Sequence, residues 1–153
     1  MELLVLLGVL AVAVAMAVPA FSRASRHEKV QLCAGNLKGL HSAWSSLPKP
    51  VAERGRGFWA AVAKAAPTLV TPRTLQCPFT EHVNPPPVQY LGPSTDPATM
   101  GGDGLLGCDE YLNHHPRGRE GGNILRKSGR VVTDAGDLWR KATLEGGCSA
   151  VGR

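Results

Sequence analysis

The segment from Leu3 to Ala20 contains no charged or polar side chain, and this run constrains the fold more than any other feature of the chain. As a helix, a run of this length crosses most of the hydrocarbon core of a bilayer. All 17 lysines and arginines lie at Arg23 or later. The sequence therefore predicts a membrane or secretion segment ahead of a basic body, and it argues against a simple cytosolic enzyme.

Two ordinary interpretations of the apolar run are open. Ala15-Met16-Ala17 fits the small-residue cleavage site of a signal peptide, but Glu2 stands where such a peptide needs a basic start. A plain transmembrane anchor is the other interpretation. Its basic flank, Arg23 to Lys29, follows the run, so the positive-inside rule would then place the body in the cytosol.

A regular apolar pattern continues beyond the run. Spacings of three and four residues are typical of an amphipathic helix. The residues of this stripe are Val30, Cys33, Leu37, Leu40, Trp44 and Leu47. Pro48 and Pro50 predict the helix end. We therefore expect one helix from Leu3 to Leu47, about 67 Å long at 1.5 Å per residue. Its first half is apolar on all faces and its second half on one.

The order Glu2, apolar run, Pro19 and basic amphipathic continuation resembles the N-terminus of type IV pilins and type II secretion pseudopilins. The resemblance implies that Glu2 lies in the membrane and pairs with the N-terminal amine of a neighbouring subunit during assembly. It also implies a short basic leader ending in Gly upstream of Glu2. Proline removes a backbone hydrogen bond, so we expect a kink at Pro19 in a helix that continues beyond it. The alternative for Glu2 is an exposed charge beside the initiator Met.

A narrower resemblance lies further along the chain. The stretch Cys33 to Leu40 is similar to the Cys-x-Asn-Asn-Leu-Lys-Gln stretch of the planctomycete-type pilin-like family that carries an H-x9-DG motif. His115-Pro116 and the segment 121–132 resemble that family's C-terminal ending. Ser128 stands where the motif has Asp, and Arg130 where it often has His. Within 121–132, two short runs flank a Lys-Ser-Gly turn, and this pattern predicts a β-hairpin.

The body is expected to be loop-rich, because it holds most of the 18 glycines and 12 prolines. A short helix is predicted at Gly57–Ala66, and strands at Val88–Leu91, Leu105–Asp109 and in the hairpin. The predicted fold class is α+β, with a long N-terminal helix on a small antiparallel sheet, as in pilins. The predicted units are 1–21 (assembly half of the helix), 22–47 (amphipathic half) and 48–153 (globular head).

Four cysteines, at positions 33, 77, 108 and 148, allow three pairings, and their spacing excludes CxxC redox and zinc motifs. A body outside the cytoplasm favours disulfides. We expect Cys77 to pair with Cys108, because both flank the same loop-rich region. Four buried thiols are the alternative.

The sequence predicts neither a catalytic site nor a bound cofactor or metal. Asp109, Glu110, His114 and His115 lie near one another, but no helix or strand frames the histidines, so a surface loop is favoured over a metal site. Asp103 and Glu110 are an unremarkable pair of acids. The basic residues are dispersed and few aromatics lie among them, so nucleic-acid binding is not expected.

The predicted function is therefore that of a structural subunit of a type IV pilus-like or type II secretion pseudopilus-like filament. Its expected partners are identical or related subunits, the inner membrane and, by resemblance, the assembly machinery and prepilin peptidase. The body would lie in the periplasm or in an extracellular filament. The alternative is a single-pass anchored envelope domain that binds something without polymerising. An anchored hydrolase is a third class, which the lack of a nucleophile constellation disfavours.

Overall fold

The structure is a computed structural model, which describes residues 2–79, 87–110, 122–133, 136, 137, 139 and 148. Within the first helix, seven side chains lie outside this description: those of Glu2, Leu4, Pro19, Ala20, Ser22, Arg23 and Arg26. The predicted kink at Pro19 and the predicted contact of Glu2 therefore fall on side chains outside the described residues. His114 and His115 also lie outside them.

Helix α1 spans Glu2–Ser45, a total of 44 residues. At 1.5 Å per residue it is about 66 Å long. Its backbone is helical on both sides of Pro19, so the helix is not interrupted there. Among the residues that the structure describes, no helix is both long enough and apolar enough to cross a membrane.

The second half of α1 is amphipathic, as its apolar stripe predicts. Cys33, Leu37 and Leu40 are fully buried, and Ala43 extends the buried face by one turn. The helix ends at Ser45 rather than at Leu47. Its last turn tightens as the Leu47 N–H bonds to the Trp44 carbonyl at 3.1 Å, and the prolines that follow have no N–H with which to continue.

Helix α2, Arg56–Ala65, begins after Gly55, whose positive φ of 61° turns the chain into the helix. Phe58, Trp59 and Val62 form its buried face. The rings of Phe58 and Trp59 pack edge to face, with centroids 4.8 Å apart. The predicted helix is thus present, one residue earlier than expected, and its aromatic residues fill the core.

Four short strands form one antiparallel sheet, in the order β1-β2-β3-β4. Their bounds are Tyr90–Leu91 for β1, Leu105–Asp109 for β2, Ile124–Arg126 for β3 and Val131–Val132 for β4. Short 3₁₀ turns at Pro72–Leu75 and Pro97–Thr99 lie in the connections. This arrangement confirms the α+β class. The hairpin is also confirmed, since Gly129 in its turn has a φ of +84°.

The sheet separates two buried clusters. The larger lies against α1 and α2 and includes Leu37, Leu40, Trp59, Tyr90 and Leu125. The smaller lies on the other face and consists of Leu91, Cys108, Ile124, Trp139 and Cys148. Because neighbouring residues of a strand point to opposite faces, Tyr90 and Leu91 of β1 divide between the two clusters.

Candidate functional site

The first half of α1 presents a large exposed apolar surface, which we call the apolar half. Its large side chains are between 53% and 76% exposed. They are Leu3, Val5, Leu6, Leu7, Val9, Leu10, Val12, Val14, Met16, Val18 and Phe21. Since Val5, Leu6 and Leu7 are consecutive and all exposed, the surface covers every face of the helix and not a single stripe. Continuous apolar surfaces of this extent mark sites of contact with protein or membrane.

The predicted assembly residue lies at the tip of this surface, because α1 begins at Glu2. Its side chain is outside the description, so its pairing with a neighbouring amine stays a prediction. The head is attached about 30 residues further along, near Val30, which at 1.5 Å per residue is about 40 Å away. The Asn123 side-chain amide donates a hydrogen bond to the Val30 carbonyl at 3.2 Å and marks where the sheet first meets α1.

The structure places the four cysteines in two pairs. The sulfurs of Cys33 and Cys77 are 2.8 Å apart, on the α1 side of the sheet. Cys108 and Cys148 contact each other in the smaller cluster, on the opposite face. Cys77 therefore lies next to Cys33 and not next to the predicted partner Cys108. The direction of Cys108 from β2 decides this, because Cys108 lies opposite Leu91 and Ile124 and shares their face.

Buried polar groups surround the Cys33–Cys77 contact. The Asn36 side-chain amide donates to the Tyr90 hydroxyl and to the Gln76 carbonyl, both at 3.0 Å. The backbone N–H of Cys77 donates to Gln89 Oε1 at 2.5 Å. These bonds tie α1, the segment after the first 3₁₀ turn, and β1 to one another. They hold the Cys77 backbone beside Cys33.

Asp109 is a fully buried carboxylate at the end of β2. Its Oδ2 accepts a hydrogen bond from the Asn123 backbone N–H at 2.8 Å, and its carbonyl accepts one from Trp139 Nε1 at 3.0 Å. The residue thus joins β3 on one side and the C-terminal segment on the other. From the sequence, Asp109 was weighed as a metal ligand. Its hydrogen bonds show that it stabilises the fold by joining neighbouring segments.

The surroundings of Cys33 and of Cys108 disfavour their thiolates. The hydrogen bond with Cys77, burial and the negative charge of Asp109 all raise the pKa of the Cys33 thiol. The pKa of the Cys108 thiol is raised by burial, by its contact with Cys148 and by the negative charge of Asp109. Low-pKa, exposed cysteines are the reactive ones, so neither site has the character of a catalytic thiol.

The acids considered for catalysis or metal binding are engaged elsewhere. Glu110 forms an ion pair with Arg56, and Asp103 lies 3.8 Å from Arg130 at the protein surface. Within the described part of the chain, no three His, Cys, Asp or Glu side chains come together as metal ligands. Each of the two acids thus faces an arginine.

An open cleft of about 440 Å³ lies at the opposite end of α1 from Glu2. Its lining includes Trp44, Leu47, Val51, Pro97 and Lys127. The lining is mainly apolar; of its polar members, Ser45 donates a hydrogen bond to the His41 carbonyl and Asp96 pairs with Arg54.

The chain matches no protein-family model, no curated protein and no solved structure. Its function is therefore inferred from its own residues. Two features stand out from an ordinary small domain: the exposed apolar half of α1 and the two buried cysteine pairs.

Proposed function

We propose that the protein is a structural subunit of a type IV pilus-like or type II secretion pseudopilus-like filament, held in a membrane by the apolar half of α1 before assembly. One observation carries this proposal. A single helix joins an apolar half, exposed on all faces, to an amphipathic half on which a small folded head is packed. Such a division provides one surface for assembly and a separate head for the outside of the filament.

The free energy gained by burying the apolar half supports its contact with lipid or with other subunits at all times. Burying a large apolar side chain stabilises by about 1.5–3 kcal/mol relative to leaving it exposed. Eleven such side chains are at least half exposed along the apolar half. Their burial is therefore worth on the order of 10 kcal/mol or more. Lipid and neighbouring copies of the same helix both provide this burial, which allows one surface to serve before and after assembly.

Glu2 supplies the specificity that an apolar surface lacks. A carboxylate held in the membrane costs up to about 3 kcal/mol at depth. Pairing with the N-terminal amine of a neighbouring subunit offsets that cost and sets the register between subunits. This role comes from the resemblance to pilins, as do a prepilin peptidase and an assembly machinery as partners. The head then lies in the periplasm or outside the cell.

Substitution of Glu2 tests the assembly role. The full-length gene, including any upstream leader, is expressed in a filament-forming host, and sheared surface filaments are separated from membranes and quantified by immunoblot. We expect Glu2→Ala to leave the membrane-bound amount unchanged and to reduce the filament fraction at least tenfold. Glu28→Ala, which removes an exposed carboxylate from the second half of α1, is the matched control. Unchanged incorporation of Glu2→Ala would refute the role of this carboxylate.

Cross-linking separates the filament from the non-polymerising alternative. A cysteine introduced at Val9, in the apolar half, is treated with a short bis-maleimide in intact cells. A filament or its membrane precursor places many copies side by side, so a ladder of covalent oligomers is expected. Gln31→Cys, on the exposed face beside the head, controls for random collision. Only monomers from the Val9→Cys protein would favour a single-pass anchored domain that does not assemble.

A further inference from the structure

We infer that the mature protein carries two disulfide bonds, Cys33–Cys77 and Cys108–Cys148, which fasten the head to α1 and the C-terminal segment to the sheet. We call the first bond the α1 clamp and the second the C-terminal clamp. The inference goes beyond the proposed function and does not require filament assembly, because it depends only on contacts within one head.

The α1 clamp follows from the position of its two sulfurs. They are 2.8 Å apart, and a disulfide bond is about 2.05 Å long, so a movement of about 0.8 Å joins them. Cys33 is fully buried in the helix, and Cys77 is 4% exposed. Hydrogen bonds from Asn36 to the Gln76 carbonyl and from the Cys77 N–H to Gln89 hold the two backbones in this position.

The C-terminal clamp follows from the smaller cluster. Cys108 and Cys148 are both fully buried, and their side chains contact each other. Leu91, Ile124 and Trp139 complete the cluster around them. A covalent bond between the two cysteines would join β2 to Cys148.

The positions of the two pairs also rule out the other two ways of pairing the four cysteines. Cys33 lies on α1 beside Tyr90, whose side chain belongs to the larger cluster, whereas Cys108 and Cys148 belong to the smaller cluster on the other face of the sheet. An exchange of partners would require a sulfur to pass through the sheet. Of the three pairings that four cysteines allow, the structure is thus compatible with one.

Each bond forms by thiol–disulfide exchange with a disulfide-bearing oxidant, either an oxidoreductase or a small-molecule disulfide. A thiolate of the pair attacks the oxidant, forms a mixed disulfide and releases one thiol. The second cysteine then displaces the oxidant's other sulfur as a thiol. In total, two cysteine thiols lose two protons and two electrons, and the oxidant's disulfide is reduced to two thiols.

Burial sets when this exchange takes place. An oxidant cannot reach Cys33, Cys108 or Cys148 in the folded head, because none of the three is exposed. The raised pKa of Cys33 and of Cys108 also disfavours the thiolate that exchange requires. Oxidation therefore precedes closure of the head, and the closed head then protects both bonds from reductants. Such bonds are typical of oxidising compartments outside the cytoplasm.

Peptide mapping of the unaltered full-length protein tests the pairing without any substitution. Cells are lysed directly into denaturant that contains N-ethylmaleimide, so that every free thiol is exposed and blocked, and the isolated protein is digested without reduction. Trypsin alone is insufficient, because no Lys or Arg lies between Cys77 and Cys108. Additional cleavage after glutamate cuts at Glu81 and Glu145, so that all four cysteines fall on separate peptides.

The expected result is two linked peptide pairs. The peptide 30–38 is joined to 74–81, and the peptide 82–110 to 146–153. A link between 74–81 and 82–110 would overturn the inference, since it is the mark of Cys77–Cys108 pairing. Full modification of all four cysteines by maleimide would overturn it equally. Because mapping needs only the head, linked peptides from a protein that makes no filaments would refute the filament proposal alone.

Cysteine substitutions give a second, independent result. In Cys33→Ser we expect Cys77 to become reactive with maleimide in denaturant, while Cys108 and Cys148 stay protected. Cys148→Ser is the matched variant and is expected to free Cys108 alone. If Cys33→Ser left Cys77 protected, or if it freed Cys108, the assignment of the α1 clamp would be wrong.

Discussion

Gly107 is a position at which the packing of the head leaves no room for a side chain. It lies in β2 opposite Leu125, and a Cβ added there would meet the ring carbon Cζ2 of Trp59 at 2.7 Å and the Leu91 carbonyl oxygen at 3.1 Å. Carbon atoms pack best at about 3.5–4.0 Å, so the indole would have to move by about 1 Å. Trp59 is fully buried against the ring of Phe58, which leaves it little freedom to do so.

The expected cost of Gly107→Ala follows from two opposing effects. Overpacking of a core typically costs about 1–3 kcal/mol. The lower conformational entropy of an unfolded chain with Ala instead of Gly returns about 0.5–1 kcal/mol. The net expectation is a loss of about 1–2 kcal/mol in the free energy of unfolding, and a Tm lower by about 4–8 °C for each kcal/mol.

Unfolding in urea, followed by tryptophan fluorescence of the full chain in a mild detergent, measures this loss. Gly35→Ala is the matched control, because Gly35 lies exposed in α1 with nothing within 4 Å of an added Cβ. There the same substitution should stabilise by about 0.5–1 kcal/mol. If Gly107→Ala proved as stable as Gly35→Ala, Trp59 would not pack over β2 as described.

Four further outcomes are expected. Burial raises the pKa of Tyr90, so the stability that its protonated form contributes is complete below pH 10 and is lost as the pH rises above it. Urea unfolding from pH 9 to pH 11 should show a decline of about 1.4 kcal/mol per pH unit above pH 10 that Tyr90→Phe removes. Asp109→Ala leaves the buried Asn123 N–H without its acceptor and should cost about 1–3 kcal/mol in the same assay. Serine at both cysteines of the α1 clamp, which are 44 residues apart, should lower the free energy of unfolding by about 4 kcal/mol, and no loss would argue against the clamp. Val12→Arg places a charge in the apolar half, and its insertion into a membrane costs about 2.5–3.5 kcal/mol. We expect this variant to leave the membrane pellet, while the near-UV circular dichroism of the head stays the same.

Much of the fold was predictable because it depends on local periodicity. The spacing of Cys33, Leu37 and Leu40 predicts the buried face of α1, and the buried positions agree. The hairpin was predictable from Lys-Ser-Gly, since Gly129 takes a left-handed conformation at no steric cost. Strand β1 is shorter than predicted, beginning at Tyr90, because the Gln89 N–H bonds instead to the Leu75 carbonyl in the preceding connection.

Of the candidate sites, one was predictable from local sequence and the other was not. The apolar half of α1 was evident from composition, because a run without polar residues needs no partner to be recognised. The cysteine pairs were not, because partners 40 and 44 residues apart leave no mark on local sequence. The neighbouring acids Asp109 and Glu110 also gave a misleading impression of one shared site. Asp109 points into the core while Glu110, the next residue, pairs with Arg56, a difference that only the strand's direction decides.

The sequence by itself thus determined the long helix, its division into an apolar and an amphipathic half, and the class of the head. These depend on hydrophobic periodicity and turn chemistry, which act between residues a few positions apart. The tertiary structure alone decided which face of the sheet each cysteine occupies, that Trp59 lies over Gly107, and that Asp109 is buried. Those outcomes depend on which distant segments come to lie against one another, and the packing of a shared core sets that.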